Sequence, residues 1–239
     1  MVFRQTGSTN DIAWQYAADP EKRGLAVFAE TQTAGRGRTG QKWNGGDSKS
    51  VLCSVLLPQM CISAETLTLA AGVAVAHTVG KCGQYEARVK WPNDITLGAR
   101  KVAGILTEAR TIEREAVYVV GIGINCSQSR KDFGEELTDT ATSIDIETGS
   151  TCSRNDVARR LLVALDDWLA KAAEDPNSVT NAWLELCCQL HRRISLNCSG
   201  RTYTGTCIGV DPQKGLVVQL ERGGIRMFDA LHTHTVRLA

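Results

Sequence analysis

Between residues 25 and 124, the helical segment 63–79 apart, the apolar stretches are short and closed by turn residues; no other feature restricts the fold as strongly. Residues 25–29, 51–57, 88–91, 95–97, 101–108 and 116–124 read as strands. Pro58 stops one of them, Pro92-Asn93-Asp94 turns another, and a second turn falls near Gly98. Strands this short and this closely linked predict a mostly antiparallel sheet covered by helices.

The covering helices are also legible. Residues 8–18 carry Ile12, Ala13, Tyr16 and Ala17 at helical spacing, and Ser8 with Asp11 has the form of a capping box. Residues 63–79 read as a buried helix capped by Ser63, with Leu67, Ala70, Ala71, Ala74 and Val75 on its packed face. Residues 155–173 are amphipathic, and Pro176 suits the first turn of a helix running to about Leu190. Residues 134–151 are polar and aperiodic, which predicts loop or a short turn. From His191 the texture changes to short strands split by Gly-rich and Asp-Pro turns, a small β-barrel-like module. The expected organisation is α+β: a mixed, mostly antiparallel sheet with helices over 1–190, and the small barrel over 191–239.

Charge and cysteine usage exclude several functions. Lysine plus arginine number 27 against 26 acids, a formal net charge of +1, so no global field draws nucleic acid or an anionic membrane. No apolar run approaches the roughly 18 residues of a membrane span. The first residues lack the basic and apolar regions of a secretion signal, so a cytoplasmic location is expected. Nine cysteines, an odd number with no C-x-x-C spacing, argue against a disulfide framework or a zinc site and read as free thiols, the adjacent Cys187 and Cys188 included. No metal-ligating set is read from the sequence.

Four segments carry more chemistry than packing needs. Thr33-Ala34-Gly35-Arg36-Gly37-Arg38-Thr39-Gly40 alternates glycine with arginine, which is either a solvated basic loop or one whose backbone N–H groups and guanidiniums converge on an anion. Its spacing is not that of a Walker A loop. Lys90-Trp91-Pro92-Asn93-Asp94 clusters an ammonium, an indole and a carboxylate at one turn, where Asp94 could bind a metal ion, orient a ligand or accept a proton. Lys101 opens an apolar strand, as a site lysine or only as an edge-strand lysine that keeps the sheet soluble, and Gly104 implies close approach by another group. Gly121 and Gly123 alternate in a strand and leave one face bare, which suits a flat ligand or a bulge.

In this order, the segments resemble the biotin–protein ligase family. The match runs from Gly7-Ser8-Thr9-Asn10 through Glu30-Thr31-Gln32 and the glycine–arginine loop to Lys90-Trp91-Pro92-Asn93-Asp94. It continues through Lys101-Val102-Ala103-Gly104-Ile105-Leu106 to Gly121-Ile122-Gly123-Ile124-Asn125. The resemblance covers nearly the whole chain. It implies a catalytic domain followed by an SH3-like domain. It also implies activation of biotin with Mg2+ and ATP to biotinyl-5′-AMP, and transfer of the biotin to one lysine of the biotin carboxyl carrier protein of a carboxylase.

Carried over by position, the resemblance places Ser8, Thr9, Asn10 and Gln32 at the ring end of biotin. It gives Gly35, Arg36, Gly37 and Arg38 to the adenylate loop and Lys101 to the activated carboxyl, with Gly104 and Gly123 lining the ligand. It puts Asn125 on the nucleotide side and Trp43 beside the loop as a cover. Arg36, Arg38, Lys101 and Asp94 are the expected catalytic residues, Asp94 orienting or deprotonating the acceptor amine. Thr39 stands where the family loop often has a further arginine, so one loop charge is absent. With only seven residues before Ser8, no DNA-binding domain and no transcriptional repression are expected. Similar short ligases can form homodimers along the sheet. A lipoate–protein ligase or octanoyltransferase of related fold is the alternative, as is a ligand- or nucleic-acid-binding protein without turnover.

Overall fold

The computed structural model describes residues 1–58, 62–83 and 85–238. The chain opens with β1 (Val2–Thr6), α1 (Thr9–Gln15), β2 (Ala26–Gln32) and β3 (Ser50–Leu57). Next come α2 (Ala64–Gly80), β4 (Ala87–Lys90), β5 (Asp94–Leu97), β6 (Arg100–Ile112) and β7 (Glu115–Asn125). Three helices follow, α3 (Ile144–Thr148), α4 (Arg154–Glu174) and α5 (Pro176–Leu186). Last are β8 (Arg193–Cys198), β9 (Arg201–Asp211), β10 (Gly215–Leu220), β11 (Ile225–Phe228) and β12 (Thr233–Leu238).

The first seven strands form one sheet in the order β1-β2-β3-β7-β6-β5-β4. Its neighbours are antiparallel except β1 and β2, which are parallel. This is the mixed, mostly antiparallel sheet that the short turn-linked strands predict. β3 is buried along its whole length and β7 over all but its first two residues, because helices cover one face and α1 packs on the other. The remaining five strands make an antiparallel half-barrel, ordered β11-β10-β9-β8-β12.

α2 is the centre of the helical layer. Its Leu67, Ala70, Ala71, Val73, Ala74 and Val75 are fully or almost fully buried, since the sheet lies on one side and α4 and α5 on the other. The small residues permit that close approach; Gly72 leaves only 3.5 Å between a notional Cβ and the Trp183 indole nitrogen. Ser63 caps this helix as expected, its hydroxyl accepting from the Thr66 N–H. One apolar cluster runs from α2 and the first sheet through Cys187 to Ile194, Leu196, Cys207 and Leu216 of the second sheet.

The structure differs from the sequence reading at several ends. β1 was not foreseen: five residues at a sheet edge leave too short a pattern to read. α1 stops at Gln15, and Ser8 occupies its N-cap without a side-chain cap bond, so the capping box does not form. Residues 134–151, read as loop or a short turn, contain α3, a single turn capped by Ser143. α5 ends at Leu186, short of Leu190, and the small module closes with β12. Eight cysteines are free thiols; Cys61 lies outside the described residues. Among the described residues, no helix is long and apolar enough to cross a membrane, and no group of three metal-ligating side chains occurs.

Candidate functional site

The central strands explain where a cavity can form. Gly104 of β6 and Gly123 of β7 are direct cross-strand partners, and Gly121 of β7 faces Leu106. Without side chains, Gly104 and Gly123 leave a bare floor, and other groups descend onto it. A Cβ on Gly123 would lie 2.3 Å from the Trp43 ring, and one on Gly121 would lie 2.3 Å from Asn10 Oδ1. The alternating glycines are therefore required by close approach and are not a bulge, since the β6–β7 register runs unbroken from Ala103 to Ile112. Over this floor lies a cavity of about 330 Å3, at the small end of ligand pockets, roughly 300–1,000 Å3. Trp43 projects into that space, and its indole N–H has no hydrogen-bond partner.

One end of the cavity is polar and internally bonded. Gln32 Oε1 accepts from the Thr9 backbone N–H at 2.7 Å and from its hydroxyl at 3.0 Å. Ser54, fully buried on β3, approaches both Thr9 Oγ1 at 2.7 Å and Asn10 Oδ1 at 2.5 Å. A serine hydroxyl has one proton to donate, so it satisfies one of these acceptors at a time. Asn10 Nδ2 and Trp14 Nε1 both donate to Glu108 Oε2. Ser8, relieved of capping, also lines the cavity.

Arg36, Arg38 and Lys101 bring positive charge to the cavity, and each of the three has a partner. Arg36 grips Asp11 with both terminal nitrogens at 2.7 Å and lies 3.7 Å from Glu108. The Arg36 hydrogen bond holds the Asp11 carboxyl below its ordinary range, and Asp11 raises the guanidinium in turn. Arg38 donates to Asn93 Oδ1 and to the carbonyl of Ala230 in the second sheet's connecting turn. Burial pushes Arg38 down from the usual arginine value, against the pull of Asp94. Lys101 Nζ lies 2.5 Å from Asp94 Oδ1 and 5.5 Å from the Trp43 ring centre. Cys53 also lines the cavity, and burial pushes its thiol up to about 12, so it stays protonated.

Most of the residues named from the sequence converge here: Ser8, Thr9, Asn10, Gln32, Arg36, Gly37, Arg38, Trp43, Asp94, Lys101, Gly104 and Gly123 all line the cavity. Gly35 lies just outside, packed against the Trp43 carbonyl. Asn125 does not reach it: its amide donates to Thr142 O and its oxygen accepts from Gln128, so it braces the segment beside Lys101. Sequence reasoning passed over Asp11, Ser54 and Glu108. It also passed over His234, Val236 and Arg237 of β12, which close the cavity from the second sheet. A carboxylate in mid-strand was the available signal for Glu108, had β6 been read through to Ile112. β12 offered none.

Residues 2–125 match the model of the family described as Biotin/lipoate A/B protein ligase family. A biotin–[acetyl-CoA-carboxylase] ligase of Paracoccus denitrificans is 31% identical over 226 residues, covering 91% of this chain and 93% of that one. The bifunctional ligase/repressor BirA of Bacillus subtilis is 29% identical over 230 residues, 93% of this chain and 70% of that one. Among solved structures, a biotin protein ligase from Aquifex aeolicus in complex with biotin and ATP superposes with a TM-score of 0.83 at 25% identity, covering 100% of this chain and 98% of that one.

Proposed function

Since the chain belongs to the biotin/lipoate A/B protein ligase family, we propose that it activates biotin with ATP and transfers it to a lysine of a biotin carboxyl carrier protein. The observation that carries this reading is the cavity itself: a glycine floor under an indole, with a hydrogen-bonding end at Thr9, Asn10 and Gln32 and a cationic end at Arg38 and Lys101. A cyclic urea has a carbonyl acceptor and N–H donors and needs partners when buried. A carboxylate meeting a phosphate needs positive charge at the opposite end.

In the first step a biotin carboxylate oxygen attacks the α-phosphorus and pyrophosphate leaves. Lys101 and Arg38 offset the charge gathered at that junction. Arg36 must be drawn from Asp11 to join them. The pair is about half exposed on the Asp11 side, where such ion pairs contribute about 0.2–1 kcal/mol. An exchange of this size is small beside the charge-assisted hydrogen bonds a bound anion offers a guanidinium. The glycines at 35, 37 and 40 let the loop close over the mixed anhydride and exclude water. In the second step the acceptor lysine amine attacks the acyl carbon and AMP leaves. Asp94 receives or orients the amine proton once Lys101 turns to the substrate.

Mg2+ is proposed to enter with the nucleotide. Asp94 is the one acidic side chain among the described residues lining the cavity, and a single carboxylate suits an ion held chiefly by phosphates and water. Bound there, it would neutralise phosphate charge. We assign 1–190 as the catalytic domain and 191–239 as an SH3-like domain whose β12 closes the site. The free thiols fit a reducing cytoplasm.

Incubation with ATP, labelled biotin and a carrier domain tests the reading. Biotin-dependent pyrophosphate release followed by labelled carrier is expected. Labelling from lipoate or octanoate, and not from biotin, would move the chain to the other branch of the family. No release with any of the three acids would overturn the assignment.

A further inference from the structure

We propose that Glu108 is a positioning residue that sets both Asn10 and Arg36 for the vitamin; this rests on the ligase reading above. Glu108 sits within β6, facing α1 and the glycine–arginine loop. Its Oε2 accepts from Asn10 Nδ2 at 2.8 Å and from Trp14 Nε1 at 2.9 Å, and its Oε1 lies 3.7 Å from Arg36. One carboxylate thus reaches the ring-end wall, the helix that carries it and the loop.

The bond to Asn10 does more than anchor it. An ionised carboxylate only accepts, so Asn10 must turn its NH2 toward Glu108 and its oxygen toward Ser54. That orientation fixes which hydrogen-bond character the ring end offers a cyclic urea. With Glu108 gone, the amide could rotate and present the opposite pattern. Trp14, stacked under the Arg110 guanidinium at 4.2 Å, keeps the carboxylate from swinging away. Asp11 and Glu108 together hold Arg36 beside the site on the α1 side, where it can transfer to a bound anion without a long search.

Two variants separate these roles. Glu108→Ala removes every contact. Glu108→Gln keeps one acceptor oxygen for Asn10 and Trp14 and loses the charge facing Arg36. With the wild-type enzyme as reference, Glu108→Ala is expected to raise the KM for biotin about tenfold or more with a much smaller change in kcat. Glu108→Gln should recover the part of that loss that comes through Asn10, and the deficit that remains measures the charge facing Arg36. A purely structural role would lower the active fraction of enzyme and leave KM alone. In ligand-free protein, the Trp14 indole and Asn10 side-chain amide resonances should shift in Glu108→Ala and return toward their original positions in Glu108→Gln. Unmoved resonances, an unchanged KM, or a Gln variant no better than Ala would overturn the proposal. A wild-type protein inert toward biotin would instead sink the ligase reading, while the ligand-free spectra would still decide whether Glu108 holds Asn10.

Discussion

At the scale of single residues, the site is built as much from missing side chains as from present ones. Gly123→Ala places a methyl within 2.3 Å of the Trp43 ring, so the indole must leave its place over β7. We expect the variant to fold with a loss of about 1–3 kcal/mol in denaturant titrations and a strongly reduced rate of biotin-dependent pyrophosphate release. An unaffected rate would mean that Trp43 plays no part. Asp132 gives a second prediction, away from the site. Lys49 and the Ser129 N–H and hydroxyl hold its carboxyl down to about 2 from an ordinary 3.8. A depressed carboxylate stabilises the fold fully above its unfolded value, and that contribution disappears as pH falls through its folded one. Asp132→Asn should therefore flatten the fall in stability between pH 3.8 and about 2, measured by urea unfolding across that window. An identical slope would refute it. Glycines and paired cations of this kind were legible because their chemistry is unusual for a core. Asp11 and Ser54 were not, because an acid on a helix and a serine in a strand are ordinary until their neighbours are known.

At the scale of elements, the sequence reading was most accurate where local pattern and burial agree. α2 is the example: a serine cap followed by a long run of small apolar residues became a helix at the predicted place. Ser63→Ala should cost about 1 kcal/mol in equilibrium denaturation, with activity retained per folded molecule; a change within error would show that the Thr66 N–H finds another partner. The elements that carry no pattern of their own share a physical cause. β1, α3 and β12 are short and owe their conformation to what they pair with: β1 to β2, α3 to the Cys126 carbonyl that receives the Asp145 N–H, and β12 to β8. No periodicity of their own announces them. The resemblance puts Asn125 on the nucleotide side; its amide donates to Thr142 O, and its oxygen accepts from Gln128.

At the scale of the whole molecule, the two sheets share one apolar cluster. Heating should therefore give a single calorimetric transition in which both sheets melt together; two resolved transitions would show them to be energetically separate. Shared packing brings β12 to the cavity, where His234, Val236 and Arg237 stand opposite residues from near the start of the chain. The glycine–arginine loop is tied across the same junction, Arg38 reaching a carbonyl 192 positions later in the sequence. This geometry has a temporal meaning. While the polypeptide is being translated, the loop emerges long before the strand that walls it in. A nascent chain or a proteolytic remnant lacking β12 thus has a pocket open to bulk water on the side that His234, Val236 and Arg237 wall in.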